Sequence, residues 1–176
     1  MIFTETKLKN SFLIEPEKLE DVRGFFTRSW SHREFIAAGI DEPIVECNIS
    51  FSRKKGTLRG MHYQAAPYGQ AKIIRCTQGA IFDAIIDLRP ESPTFMQWFG
   101  AELSAQNHLM LYVPKDFAHG FQTLQDNTEV FYQMSSYYEA QSSQGVRWND
   151  PAFGIEWPED ERTMLERDQQ YPDFLR

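Results

Sequence analysis

Three short segments hold the residues best suited to chemistry. Gly56-x5-His62-x-Gln64 is followed by Lys72-x6-Gly79, and later comes Pro114-x-Asp116-x2-His119. An imidazole such as His62 takes a proton near neutral pH. An ammonium beside it, Lys72, stabilises negative charge growing on a carbonyl oxygen. Such a pair suits removal of a proton next to a carbonyl, through an enolate. The same residues make a poor metal set. Divalent ions want neutral imidazoles and anionic carboxylates, and an ammionium-bearing Lys72 offers no lone pair at neutral pH. No metal is expected, and no Gly-rich dinucleotide fingerprint calls for a redox cofactor. A lone histidine in a β-rich chain is more often structural than catalytic, so the weight rests on the combination.

The elements that must hold these residues are mostly strands. The chain has 176 residues, which fits a single domain over 1–176 with a real core. One early helix is expected over Ser31–Gly39, with Ser31 as cap, Glu34 three residues on and Gly39 at its end. From Pro43 onward short β runs alternate with turn residues. They are Ile44–Phe51, Ala71–Thr77, Ala80–Leu88, Trp98–Leu103, Leu109–Val113, Gly120–Leu124 and Glu129–Met134. Many short strands at this spacing predict an antiparallel sandwich or barrel. The charged tail from Pro158 is expected to hold a short helix near Asp160–Asp168.

Bulk properties narrow the function further. The net charge of -7 argues against a nucleic-acid partner. Arg53-Lys54-Lys55 reads as a solvated turn before Gly56. The two cysteines, Cys47 and Cys76, form no metal or disulfide pattern, and each is expected as a buried reduced thiol. The first residues lack an apolar signal region and no run approaches membrane-spanning length, so the expected location is cytoplasmic, with no membrane partner.

The spaced segments line up with the two motifs of the cupin jelly roll. Metal-binding cupins place His, His, Glu and His there; here Gln64 stands for the second His and Lys72 for the carboxylate. More specifically, the chain resembles the dTDP-4-dehydrorhamnose 3,5-epimerase family from about Glu15 to Asp168. Gly56-Thr57-Leu58-Arg59-Gly60-Met61-His62-Tyr63-Gln64 carries most of the likeness. Asp87-Leu88-Arg89, Pro114-x-x-Phe117-Ala118-His119-Gly120-Phe121 and Arg147-Trp148-Asn149-Asp150-Pro151 add to it.

The resemblance implies an all-β-dominated cupin jelly-roll β-sandwich with a short early helix and a small C-terminal helical segment. It implies epimerisation at C3, C5 or both of a nucleotide-linked 4-keto-6-deoxyhexose, without a cofactor. His62 matches the general base, Asp168 the carboxylate that orients it, and Tyr132 the general acid on the opposite face of the sugar. Lys72 and His119 match pocket residues near the sugar, and Gln64 belongs with the substrate contacts. Arg59 and Arg167 look like phosphate contacts, Asn48 a nucleotide-side position, and Tyr138 the ring that packs on the base. Arg23 and Phe26 match residues lent by a neighbouring subunit, which implies a homodimer with shared active sites. The physical account agrees: one base alone mostly restores the original centre, whereas a base and an acid on opposite faces invert it.

Three nucleotide-side positions depart from the family pattern: Arg28, Glu46-Cys47-Asn48-Ile49 and Ser143. Thymine N3 carries a hydrogen and prefers an acceptor. Arg28 would donate, which suits cytosine N3 or an extra anion; the alternative is a rearranged pocket that keeps dTDP. Structural roles are the competing reading for Tyr132, as a core-edge tyrosine, and for Phe26, as ordinary core. Asp83 reads as a structural partner of His119. Rival functions are a 3-only or 5-only epimerase, a ketoisomerase using the same enediol chemistry, and a catalytically silent sugar-nucleotide-binding cupin.

Overall fold

A computed structural model describes residues 1–174. In chain order the elements are β1 (Ile2–Glu5), β2 (Phe12–Glu15), β3 (Leu19–Asp21), β4 (Gly24–Phe26), α1 (His32–Ala37), β5 (Glu46–Ser52) and β6 (Leu58–Gln64). Then follow β7 (Lys72–Gln78), β8 (Ala80–Asp87), β9 (Trp98–Ser104), β10 (Met110–Val113), β11 (Phe117–Thr123), β12 (Thr128–Met134), β13 (Ser143–Gly145) and α2 (Glu166–Gln169). Two sheets form a jelly-roll sandwich. One has the order β1-β2-β10-β7-β12-β5, the other β13-β6-β11-β8-β9. The hairpin β3–β4 stands apart as a two-stranded ribbon.

Alternation along each strand sorts the apolar residues into three layers. Ile74, Leu111 and Val130 of the six-stranded sheet meet Ile81, Ile85, Leu103, Phe117 and Phe121 of the five-stranded sheet in the central core. Leu58, Met61, Ala84, Ile86 and Ala118 face the other way, under Val146, Phe153 and Trp157 of the C-terminal segment. On the far side, Phe35 of α1 and Ile40 cover Ile14, Ile73, Met110 and Tyr112. The rest of that outer face is open. Ile49 and Phe51 on edge strand β5 are 64% and 47% exposed.

The strands after Pro43 fall where the sequence places them, within a few residues at each end. β11 begins earlier, at Phe117, and β6 was expected only as a motif. The helix at 31–39 shortens to His32–Ala37, and the Ser31 side chain makes no capping bond. Its main-chain oxygen instead accepts from the Glu34 and Phe35 amides. The expected helix at 160–168 shrinks to α2. Thr163 is drawn into extended pairing with Thr57, with its N–H donating to Gly56 O and its O accepting from Leu58 N–H. A helix through this stretch would forfeit those bonds. The cysteines divide. Cys76 is buried, and burial pushes its thiol up to about 11. Cys47 is exposed, because strand parity turns it outward with Ile49 and Phe51. Among the described residues, no helix is long and apolar enough to cross a membrane.

Candidate active site

A cavity of about 240 Å³ opens between the sheets, lined by Ser50, Arg59, His62, Lys72, His119, Phe121, Tyr132, Leu165, Arg167 and Asp168. Seven of the expected site residues meet there, and they arrive from three directions. His62, Arg59 and His119 stand on β6 and β11. Tyr132 and Lys72 stand on β12 and β7 of the facing sheet. Arg167 and Asp168 come from α2.

Arg59 and His62 are three residues apart, and in a regular strand they would face opposite sides. The ladder between β6 and β11 pairs His62 with His119 but Arg59 with Phe121, so β6 carries one extra residue. That bulge returns both side chains to the same face. It depends on a close approach of two glycines. A Cβ on Gly60 would lie 2.5 Å from Gly120 Cα, and Gly60 has φ +127°, which a side chain rarely adopts.

His62 Nε2 lies 2.8 Å from Asp168 Oδ1. Asp168 is 1% exposed, and its Oδ2 accepts from the Gly60 amide at 3.1 Å. Arg167 Nε donates to Oδ1 at 3.2 Å. With Nε2–H donating to Asp168, Nδ1 is the ring nitrogen with the lone pair. Arg167 Nη2 also lies 3.3 Å from Nε2. A nitrogen that carries the donated proton cannot accept, so the hydrogen bond of Arg167 goes to the carboxylate, and the ring feels only its charge. Burial pushes His62 below its ordinary value, opposed by the hydrogen bond to and charge of Asp168. Burial alone would raise Asp168, but the bonds from His62, Gly60 and Arg167 outweigh it and hold the carboxyl below its usual range.

Desolvation lowers Lys72 to about 8, against the pull of Asp83. Asp83 is fully buried, and its Oδ1 lies 2.7 Å from His119 Nε2. That matches the structural role expected for it. Across the gap, Tyr132 pairs with Ile74 and Asn48 in its sheet. Burial raises its phenol above the ordinary value, opposed by Arg59. The group therefore stays a protonated phenol at neutral pH, able to donate. Among the described residues no three His, Cys, Asp or Glu side chains gather as a metal set.

The other expected residues lie outside the cavity. Asn48 faces the same side as Tyr132, and its Nδ2 donates to Met134 Sδ at 3.7 Å. Tyr138 is exposed, near enough to Arg167 to act on its charge. Ser143 pairs with Gln64 in the β13–β6 ladder. Gln64 is buried, and its amide is committed to backbone groups of neighbouring loops. Arg23 folds back on Asp21 at the tip of the exposed hairpin, and Phe26 is 66% exposed there and not core. Arg28 Nη1 donates to Glu34 Oε1 at 3.2 Å at the protein surface. Sequence reasoning missed Ser50, Phe121 and Leu165. Ser50 and Phe121 follow Asn48 and His119 by two and share their strand faces, which was a usable signal. Leu165 had none.

Known proteins resemble this chain over nearly its whole length. The family model described as dTDP-4-dehydrorhamnose 3,5-epimerase matches residues 5–175. A dTDP-4-dehydrorhamnose 3,5-epimerase of Sinorhizobium fredii is 40% identical over 173 residues, 98% of this chain and 89% of that protein. The crystal structure of the Bacillus anthracis dTDP-4-dehydrorhamnose 3,5-epimerase, with TDP and pyrophosphate bound, superposes with TM-score 0.95 at 43% identity, covering 98% of this chain and 99% of that one. A Legionella pneumophila 3,5-epimerase in complex with dTDP-4-keto-L-rhamnose gives TM-score 0.89 at 35% identity, covering 95% and 89%.

Proposed function

Since the chain belongs to the dTDP-4-dehydrorhamnose 3,5-epimerase family, we propose that it inverts C3 and C5 of dTDP-4-dehydro-6-deoxyglucose to give dTDP-4-dehydrorhamnose. The observation that carries the reading is a base and an acid on opposite walls of one cavity: His62 on one sheet, held by Asp168 of α2, and Tyr132 on the other sheet.

The chemistry follows from the groups present. The C–H bond next to the C4 ketone breaks as His62 takes the proton. The electron pair moves onto the C4 oxygen as an enolate, and the ammonium of Lys72 stabilises that oxygen. Asp168 fixes the His62 tautomer and stabilises the imidazolium that forms. Tyr132 delivers its proton to the opposite face of the planar carbon, and the centre is inverted. His62 and Tyr132 then reset by exchange with water. Arg59 and Arg167 suit the diphosphate, because a guanidinium fork bonds two oxygens at once. Tyr138 offers a ring for the thymine, and Asn48 a polar group on the same side.

The reading carries with it a homodimer and a cytoplasmic location. The open face of the six-stranded sheet, with Ile49 and Phe51 exposed, supports pairing with a second copy. So does the β3–β4 hairpin, which presents Leu19, Val22 and Phe26 to solvent. In that dimer Arg23 and Phe26 reach the nucleotide end of the partner's cavity.

The test is solvent deuterium incorporation into dTDP-4-keto-6-deoxyglucose, read by mass spectrometry, with wild type beside His62→Ala. Two mass units gained by wild type and lost in the variant are expected. One unit would mean that a single centre is inverted, and none would remove the enolising reading.

A further inference from the structure

Gln64 stands on β6 two residues beyond His62, yet it does not line the cavity. Its side chain is 5% exposed. Nε2 donates to Tyr137 O at 3.1 Å and to Tyr68 O at 2.9 Å. Oε1 accepts from the Glu139 amide at 2.7 Å. The carbonyl on one side of Tyr138 and the N–H on the other are therefore both held by a single buried amide. The orientation of that amide is fixed by its partners, since a flip would set its oxygen against two carbonyls. Both Nε2 hydrogens are used on those carbonyls, so Ser136 Oγ at 3.5 Å adds no further acceptor.

The arrangement matters because Tyr138 has little else to hold it. Its residue is 59% exposed and lies in a stretch without regular structure, between β12 and β13. A ring that is mostly in solvent takes its position from its backbone. The surrounding loops are also tied to the end of β6: Ala65 N–H donates to Ser142 O, Gln70 Nε2 donates to Ser136 O, and Ser143 pairs with Gln64. A glutamate would repel both carbonyls, and a histidine cannot donate twice while also accepting.

We infer that Gln64 is a positioning residue for nucleotide recognition, clamping the peptide groups on either side of Tyr138 so that its ring is presented to the base. The inference rests on the reading of Tyr138 as the nucleobase platform. It also ties the two ends of the substrate together. The strand that carries the base His62 continues directly into the residue that sets the platform, so sugar and nucleoside are aligned through one rigid element. The strand position that carries a second histidine ligand in metal-binding cupins holds Gln64 here, and its amide is spent on the loop backbone instead.

The test is a double-mutant cycle on the affinity for thymidine diphosphate, by titration calorimetry of the full chain, with Gln64→Ala, Tyr138→Ala and the double variant. Loss of a stacked base weakens binding by about tenfold or more. Gln64→Ala and Tyr138→Ala are each expected to raise Kd by about that factor, and the double variant to be no weaker than Tyr138→Ala alone. The effect should appear in KM, with a smaller change in kcat. An unchanged Kd for Gln64→Ala, or losses that multiply in the double variant, would overturn the inference. An unchanged Kd for Tyr138→Ala alone would instead remove the platform reading on which it rests. If Gln64→Ala does not fold, Gln64→Glu decides: it keeps an acceptor for the Glu139 amide but loses both donations, and wild-type affinity there would equally overturn the clamp.

Discussion

Replacing Asp168 by Asn probes the candidate catalytic pair with the least change of shape. Asp168 Oδ2 accepts from the Gly60 amide, while Oδ1 faces His62 Nε2 at 2.8 Å and Arg167 Nε at 3.2 Å. An asparagine that keeps its oxygen on Gly60 must turn its NH2 towards His62. The ring then has to present a lone pair there, and its proton moves to Nδ1, the nitrogen needed as base. The loss is about one charge-assisted hydrogen bond, ~1.5–3 kcal/mol, or a fall in rate of roughly 10- to 150-fold. The pH profile gives an independent check. His62 is lowered by burial and raised by Asp168, with Lys72 and Arg167 also lowering it. Removing the carboxylate leaves burial unopposed, so the acidic limb of the profile should move to lower pH while the plateau falls. Initial rates of deuterium incorporation between pH 5 and 9, roughly the range in which His and Lys groups of this kind titrate, would measure both. A plateau within about threefold of wild type, or a limb displaced to higher pH, would refute the reasoning. Stability follows the same carboxyl. Its folded-state pKa is depressed, so its contribution is present above the ordinary Asp range and is lost as pH falls through the folded value. The difference in melting temperature between wild type and variant should therefore close in acid.

Other outcomes follow from single contacts. Lys72 is lowered to about 8, so the rate should fall on the alkaline side near that pH; Lys72→Arg, which stays charged, should lose that limb at some cost in plateau rate. Tyr132→Phe should keep deuterium exchange at the His62 face while inverted product falls by about 100-fold or more, read by NMR of the product sugar. Gly60→Ala drives a Cβ to 2.5 Å from Gly120 Cα at a φ that disfavours it, and should destabilise by at least ~2 kcal/mol in denaturant melts, with the rate falling too. Phe51→Glu puts a charge on the open sheet face and should shift the proposed dimer towards monomer in sedimentation, with the melting temperature of the monomer little changed.

Much of this architecture could be read from the chain because alternation and turn residues do not depend on distant partners. The strands from 71 to 134 are of that kind, with Gln78-Gly79 and Asp126-Asn127 marking their ends. β6 was harder, since Gly60 breaks its alternation and looks like a loop; the bulge that it makes shows only when β11 is beside it. His62 and Lys72 were legible as a base and a cation. Asp168 was legible only through resemblance, because 106 residues separate it from its partner and no local pattern links them. The tail helix was over-extended for a related reason. Its charges favour a helix locally, but pairing with Thr57 holds the middle of the segment extended. Gln64 and Arg28 show the limit of arguing from residue type alone. Each is polar enough to touch a ligand; Gln64 spends its amide on backbone groups of its own chain, and Arg28 stays at the surface with one bond to Glu34.

The two walls of the cavity belong to different sheets, joined by short connections such as the turn at Gly79 between β7 and β8. Away from those connections the spacing is held by what is stacked further along the sandwich: Ile74, Val130, Phe117 and their neighbours. The hydrocarbon core is in effect a feeler gauge for the gap between the two walls. Trimming it, for instance Ile85→Val, leaves every reactive group in place yet loosens the calibration. A proton lifted from one side would then return to that side more often, so stereochemical fidelity would erode before turnover does. The ratio of singly to doubly inverted sugar among the products would register the change in gap.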